Sequence, residues 1–206
     1  MKWVLLLAAT LFPLAAVAGL DEDMGALQRE WAEIKYRRAA AEQEKAFAAL
    51  AQSAEAVRAK YTGRAEPQIW YGIIVASHAG ARGGLGALSL AKQAKGALEQ
   101  ALALDAGALG GSAYTSLGSL YYQVPGWPIG FGSDGKAREL LQKALALNPE
   151  GIDPNYFFGD FLYRKGDYAG AREALQKALK APPRPERALA DQGRRKEIEA
   201  LLAAMR

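Results

Sequence analysis

The chain has 206 residues with 26 basic and 22 acidic side chains, one histidine and no cysteine, and a formal net charge of +4. Without cysteine it has no disulfide, no thiolate metal site and no cysteine-borne lipid anchor. Charges of both signs alternate along the chain rather than forming a basic stripe, so we expect no nucleic-acid partner.

Residues 1–18 have the pattern of a secretory signal peptide. Lys2 precedes a mostly apolar run from Trp3 to Leu14, and Ala16-Val17-Ala18 is a small-x-small cleavage motif before Gly19. The run is shorter than the roughly 18 apolar residues of a membrane-spanning helix. We therefore expect cleavage near Ala18–Gly19, export to the periplasm or cell envelope, and no membrane span or lipid anchor.

Residues 19–62 are predicted to form N-terminal helices. Apolar residues recur there at spacings of three and four, first up to Ile34 and again from Phe47. In one continuous helix the second stripe would lie about 220° around the axis from the first. We therefore predict two helices with a break near Arg37–Ala41.

Residues 63–184 contain three copies of one pattern, at about 66–106, 111–150 and 152–184. The second copy reads Tyr114-x2-Leu117-Gly118-x2-Tyr121, followed by Ala137-x3-Leu141-x2-Ala144 and Pro149. This is similar to the tetratricopeptide repeat (TPR) pattern. The other two copies have matching small and apolar residues, the first of them more weakly: Gly72, Ala94, Leu98 and Ala101; Gly159, Ala171, Leu175 and Ala178.

The TPR resemblance implies an all-α fold of antiparallel helical pairs, stacked as a short right-handed solenoid. The glycine of one helix and the alanine of the other must be small where the two helices cross. Residues 185–206 continue as an amphipathic segment with a rigid, proline-rich start. We expect them to form a C-terminal capping helix with a polar outer face.

Two copies have extra residues between their paired helices, at 77–89 and 123–135, and we expect both stretches to be long loops on one edge of the solenoid. The second runs into GFGSDGKA (130–137), which has the letters of a phosphate-binding loop. Such a loop must follow a buried strand and needs Ser or Thr after its lysine, but here a helix precedes it and Ala137 follows Lys136. We expect no nucleotide site, and a helix capped by Ser133 or Asp134.

The candidate binding residues are aromatic or large apolar side chains on the first helices of the repeats and in the second long loop. Those helices line the concave side of a TPR solenoid. Core packing is the alternative role for each residue, and the loop either seals the core or forms part of a cavity or partner surface. The candidates are Trp70, Tyr114, Tyr121, Tyr122, Trp127, Ile129, Phe131 and Phe157.

Catalytic and metal chemistry has little support in the sequence. His78 is the single histidine, so no site with two histidines can form. Asp153 precedes Pro154 and is predicted to cap a helix. We expect no enzymatic activity, no cofactor and no metal.

The stretch SLGSLYYQVPGWPIGFGSDGKARELLQKALALNP (116–149) resembles the helical T-component associated with TRAP-type transporters, a periplasmic protein built from TPR-like helical pairs. The resemblance implies association with a periplasmic solute-binding protein and a channel for a small apolar ligand. Two functions are therefore open. One is a non-enzymatic, exported scaffold for protein–protein interaction, associated with a transporter. The other is a carrier of a small apolar ligand in an aromatic-lined cavity between the repeats.

Overall fold

The computed structural model describes the backbone of residues 14–205 and the side chains of residues 19–84 and 86–205. This part of the chain is helical, and it confirms the predicted all-α fold. Its elements are α1 (Leu14–Arg37), α2 (Ala40–Lys60), α3 (Ala65–Arg82), α4 (Gly84–Leu104), α5 (Ala108–Gln123), α6 (Asp134–Leu147), α7 (Ile152–Arg164), α8 (Tyr168–Leu179), a 3-10 turn (Pro185–Arg187) and α9 (Ala188–Ala204).

The N-terminal region begins with α1 and α2. Residues 1–13 of the predicted signal peptide lie outside the described residues, and α1 starts at Leu14. The predicted break is confirmed, because α1 ends at Arg37 and α2 begins at Ala40. None of the helices described from Leu14 onward combines the length and apolar character needed to cross a membrane.

The three repeats are the helical pairs α3/α4, α5/α6 and α7/α8. In each pair the glycine of the first helix lies directly against a leucine of the second. A Cβ added to these glycines would lie 2.7, 2.8 and 2.7 Å from the leucine Cγ atoms, and each leucine is fully buried. The same contact therefore holds all three pairs, including the weak first copy. The pairs are Gly72 with Leu98, Gly118 with Leu141, and Gly159 with Leu175.

The predicted loop at 77–89 is wrong. Helix α3 continues to Arg82 and α4 starts at Gly84, so the extra residues lengthen both helices. Alanine and leucine favour helix over most of this stretch. The chain turns only at Gly83 and Gly84, whose φ angles of +64° and +59° suit glycine. The other stretch does contain a loop, which runs between the end of α5 and the start of α6.

The odd-numbered helices form a closed inner ring. Each of α1, α3, α5 and α7 contacts the next odd-numbered helix, and α9 contacts α1. At this last contact the ring of Tyr36 lies directly against Gly193, where an added Cβ would overlap the ring. Helix α9 therefore caps the last repeat, as predicted, and also joins it to the N-terminal helix. We call this α1–α9 contact the seam.

The crossing contact predicts opposite effects for two glycine substitutions. Gly159→Ala should lower the free energy of unfolding by about 1–3 kcal/mol, because the new methyl group overlaps Leu175. Gly96→Ala, in mid-helix α4 with no atom within 4 Å of its Cβ position, should raise it by about 0.5–1 kcal/mol. Urea unfolding followed by circular dichroism measures both. Equal effects would contradict the close-packed crossing.

Candidate functional site

The inner ring encloses a cleft of about 790 Å³. Its lining comes mainly from the five odd-numbered helices and the 3-10 turn. Helix α5 contributes a row of small hydroxyl side chains to this lining. These are Ser112, Thr115, Ser116 and Ser119.

Two tryptophans form one wall of the cleft. Trp31 of α1 and Trp70 of α3 meet edge to face with 6.0 Å between ring centroids. The indole N–H of Trp31 donates to Ser77 Oγ at 2.8 Å, and the Ser77 hydroxyl donates to the Ile73 carbonyl at 2.8 Å. This chain of hydrogen bonds fixes the Trp31 ring against α3.

A cluster of arginines around Asp153 forms the adjoining part of the wall, where Arg187 lies over the Trp70 ring. Asp153 lies in the first turn of α7 and accepts hydrogen bonds from Arg184 Nη1 at 2.9 Å and Arg194 Nε at 3.0 Å. Arg187 Nη1 is more distant, at 3.9 Å. Burial acts to raise the pKa of Asp153, but the charges of Arg194, Arg184 and Arg187 outweigh it and hold the pKa at about 2. The aspartate is therefore ionised at neutral pH.

The cluster extends from Asp153 to the seam through two further carboxylates. Arg184 donates from Nε to Asp191 at 2.8 Å, and Arg194 donates from Nη1 to Glu197 at 2.6 Å. Glu197 of α9 also accepts from the Tyr36 hydroxyl of α1 at 3.4 Å. Burial raises the pKa of Tyr36, so its hydroxyl stays protonated. The cluster therefore ties α7 and α9 to α1.

The sequence did not predict this cluster, and its prediction for Asp153 is wrong. The residue preceding α7 is Gly151, which makes no side-chain cap, while Asp153 binds arginines 31 and 41 residues away in the chain. The concentration of arginine in PPRPERALADQGRRKEI (182–198) is the one signal that could have suggested it. That segment also reads as an ordinary charged helix face.

Two of the predicted binding residues, Trp70 and Phe157, line the cleft. Both carry a guanidinium group on the ring face. The Arg187 guanidinium lies 5.1 Å from the centroid of Trp70, and that of Arg194 lies 4.7 Å from Phe157. This part of the cleft wall thus has cations over aromatic rings, in addition to the aromatic lining expected from the sequence.

The predicted tyrosines are outside the set of residues that line the cleft. Tyr122 donates its hydroxyl to Asp160 Oδ2 at 2.7 Å, and its pKa is raised by burial and by that carboxylate. Tyr121 packs edge to face on Phe131 at 5.4 Å, and Tyr114 is partly buried beside the main core. These rings hold neighbouring helices together.

The three apolar binding candidates in the loop between α5 and α6 differ in their exposure to solvent. Phe131 packs inward on the core, whereas Trp127 is 90% and Ile129 65% exposed. The Gly132 N–H donates to the Pro125 carbonyl at 2.9 Å, and the Ser133 N–H to the Tyr121 carbonyl at 2.8 Å. The loop thus seals the core on one side and presents two large apolar side chains on the other.

The stretch 130–137 has the structure expected for a loop that enters a helix. It follows helix α5, and the Ser133 hydroxyl accepts from the Lys136 N–H, which confirms the predicted cap. Among the side chains of residues 19–84 and 86–205, no group of three or more histidines, aspartates or glutamates is placed to hold a metal ion.

Comparison with known proteins supports the TPR assignment. Residues 135–194 match the tetratricopeptide repeat family model. The chain is similar to a thermophilic TPR protein of Thermus thermophilus at 16% identity, with a TM-score of 0.58 over 92% of this chain and 94% of the other. Two crystal structures of MamA are similar at 20% and 18% identity, with TM-scores of 0.46 and 0.45; they cover 78% and 89% of this chain and align over 87% and 91% of their own.

The structural similarity shows a TPR-like solenoid and no more than the fold. No curated protein sequence matches the chain. The resemblance to the T-component of TRAP-type transporters is not supported by these matches.

The charged cluster predicts that Asp153→Asn is destabilising. Its side chain is 24% exposed, and the substitution leaves buried guanidinium groups without their shared anion, so we expect a loss of about 2–4 kcal/mol. Glu33→Gln, which breaks an exposed pair with Arg37, should cost less than about 0.5 kcal/mol. Urea unfolding at neutral pH measures both.

The lowered pKa of Asp153 predicts how the free energy of unfolding depends on pH. Its folded pKa of about 2 lies below the ordinary value of 3.8, so its stabilisation is complete above about pH 4 and is lost as the pH falls toward 2. Between those pH values the unfolding free energy should fall more steeply in the wild type than in Asp153→Asn. If the unfolding free energies of the two proteins fell in parallel with pH, the arginines would not be lowering the pKa of Asp153.

Proposed function

We propose that this protein is a non-enzymatic scaffold of the cell envelope that holds a segment of a partner protein in its central cleft. The observation that carries the proposal is the cleft itself, which is enclosed by five helices and lined by aromatic, hydroxyl and charged side chains. A TPR-like fold supports it, because helical repeats commonly bind partners on their concave surface.

The loop between α5 and α6 is the second partner contact in this proposal. Trp127 and Ile129 are large apolar side chains exposed on a hydrogen-bonded loop. A tryptophan on a rigid support loses little conformational entropy when it is buried, and tryptophan is enriched among the residues that dominate binding energy.

Export is part of the same proposal and rests on residues 1–18. The first buried side chain among the described residues is Leu20, so cleavage near Ala18–Gly19 would leave the described core intact. Association with a transporter and its solute-binding protein is the most specific form of the proposal. It rests on the resemblance of residues 116–149 alone.

A small-ligand carrier is the second candidate function. The closed ring favours it, because a cleft of about 790 Å³ falls within the roughly 300–1,000 Å³ of small-molecule sites. The arginines over Trp70 and Phe157 make a purely apolar ligand a poor match for the walls. In this role the ligand would carry a charge.

Site-specific photo-crosslinking in the native cell tests the scaffold. We expect benzoylphenylalanine at Ser116, in the cleft, and at Trp127, in the loop, to capture the same protein. The control position is Gln142, which is exposed on α6. Equal capture from all three positions, or capture from none, would contradict the proposal.

Mass spectrometry of the purified envelope protein supplies two further measurements. The intact mass should correspond to a chain that begins at Gly19; a mass that retains residues 1–18 would contradict export with cleavage. Under native conditions, a small molecule that stays bound in place of a protein partner would favour the carrier.

A further inference from the structure

Arg187 is the member of the charged cluster that lacks a carboxylate of its own. Its side chain is only 19% exposed, and its nearest acidic contact is the 3.9 Å approach to Asp153. Its Nε atom is buried and has no hydrogen-bond partner among the described residues. Within that part of the chain, its guanidinium donates no hydrogen bond.

The neighbouring arginines already occupy the available acids. Asp153 accepts from Arg184 and Arg194, and each of these has a second carboxylate, Asp191 and Glu197 respectively. The remaining guanidinium, that of Arg187, lies over Trp70 and lines the cleft. A largely buried guanidinium whose Nε atom has no hydrogen-bond partner among the described residues is costly to keep, which points to a function in binding.

Desolvation agrees with this geometry. Burial, and the charges of Arg184 and Arg194, lower the pKa of Arg187, with Asp153 and Asp191 opposing them. Arg187 nevertheless stays charged at neutral pH, because an arginine side chain is not deprotonated in proteins. An anion in the cleft would supply the missing acceptor.

We propose that Arg187 is the anion-binding residue of the cleft and that its ligand is an organic carboxylate with an apolar body. A guanidinium can hold a carboxylate with two parallel hydrogen bonds. The apolar body would lie beside Trp31 and Trp70, which line the cleft with the small part of their side chains that is exposed, 6% and 3%. The carboxylate is either that of a free organic acid or that of an acidic side chain in the partner's segment.

The charges favour a single carboxylate over a doubly charged phosphate. The cluster around Arg187 contains three arginines and three acids: Arg184, Arg187 and Arg194 against Asp153, Asp191 and Glu197. A monoanion would satisfy the one guanidinium that lacks a partner. A dianion would add a further negative charge close to Asp153 and Glu197.

Calorimetry with matched charged and neutral probes tests the site. The free-acid pair is 3-phenylpropanoate and 3-phenylpropanamide, and the peptide pair is acetyl-Phe-Glu-Phe-amide and acetyl-Phe-Gln-Phe-amide. At least one charged probe should bind tenfold or more tightly than its amide. Preference within the free-acid pair identifies a small-molecule acid, and preference within the peptide pair identifies a partner segment. No preference in either pair would overturn the proposal.

Arginine variants locate the binding. Arg187→Gln should remove the preference for the charged probe, and Arg187→Lys should retain part of it. The matched control is Arg138→Gln, because Arg138 also lies over an aromatic ring, Phe161 at 5.1 Å, but is outside the cleft lining. Loss of preference in the control, or its retention in Arg187→Gln, would overturn the assignment.

Unfolding measurements separate binding from a structural role. Arg187 makes no side-chain hydrogen bond to the described residues, and its charge-mediated contacts with them are the Trp70 ring and the 3.9 Å approach to Asp153. Arg187→Gln should therefore lower the unfolding midpoint only slightly. Arg194→Gln should lower it more, because Arg194 bonds to both Asp153 and Glu197. Equal losses in the two variants would make Arg187 a structural residue and overturn the proposal.

The carboxylate site rests on the proposed role of the cleft, and the two can fail separately. Capture of a partner from Ser116 in an Arg187→Gln background, together with no carboxylate preference, would leave the scaffold standing without this site. Carboxylate binding without any captured partner would leave the site standing and favour the carrier.

Discussion

The contact between a glycine and a leucine, repeated in three helical pairs, sets the geometry of the molecule. Because no side chain stands at Gly72, Gly118 or Gly159, each first helix lies directly on the leucine of the second. Three pairs with the same contact stack in the same orientation, so the first helices share one side. The position of the cleft therefore follows from small residues that are not themselves part of its lining.

The charged cluster depends on this stacking and in turn completes it. Asp153 stands at the start of α7, and the 3-10 turn and α9 bring three arginines to it. Compared with well-packed apolar residues of similar volume, buried ion pairs of this kind add little net stability. They do require a particular arrangement of the helices that carry them. Glu197 and Tyr36 extend that requirement to α1 and so determine where the chain's last helix lies.

Features set by local sequence were predictable here. The small residues at the crossings, the break after Arg37 and the cap by Ser133 each follow from neighbouring residues. The loop expected at 77–89 was an error because the extra residues of that copy were assigned to the connection, whereas its alanines and leucines favour helix and lengthen α3 and α4.

The site itself was largely beyond prediction. The repeat pattern assigns Trp70 and Phe157 to the first helices of their repeats, and both line the cleft. The arginines on their faces come from a segment outside the repeats, and no local pattern pairs them with Asp153. Within one short loop, Phe131 faces the core and Trp127 faces outward, a difference that backbone hydrogen bonds decide and composition does not.

The seam between α1 and α9 affects how this stack of helical pairs unfolds. An open array of repeats loses its terminal helices first, because each repeat is held only by its neighbours. Here the inner helices form a cycle, so no terminal inner helix is held from one side alone. Separating α1 from α9 must break the contacts of Tyr36 with Gly193 and Glu197, and this added requirement should make unfolding more cooperative than in an open array of equal length.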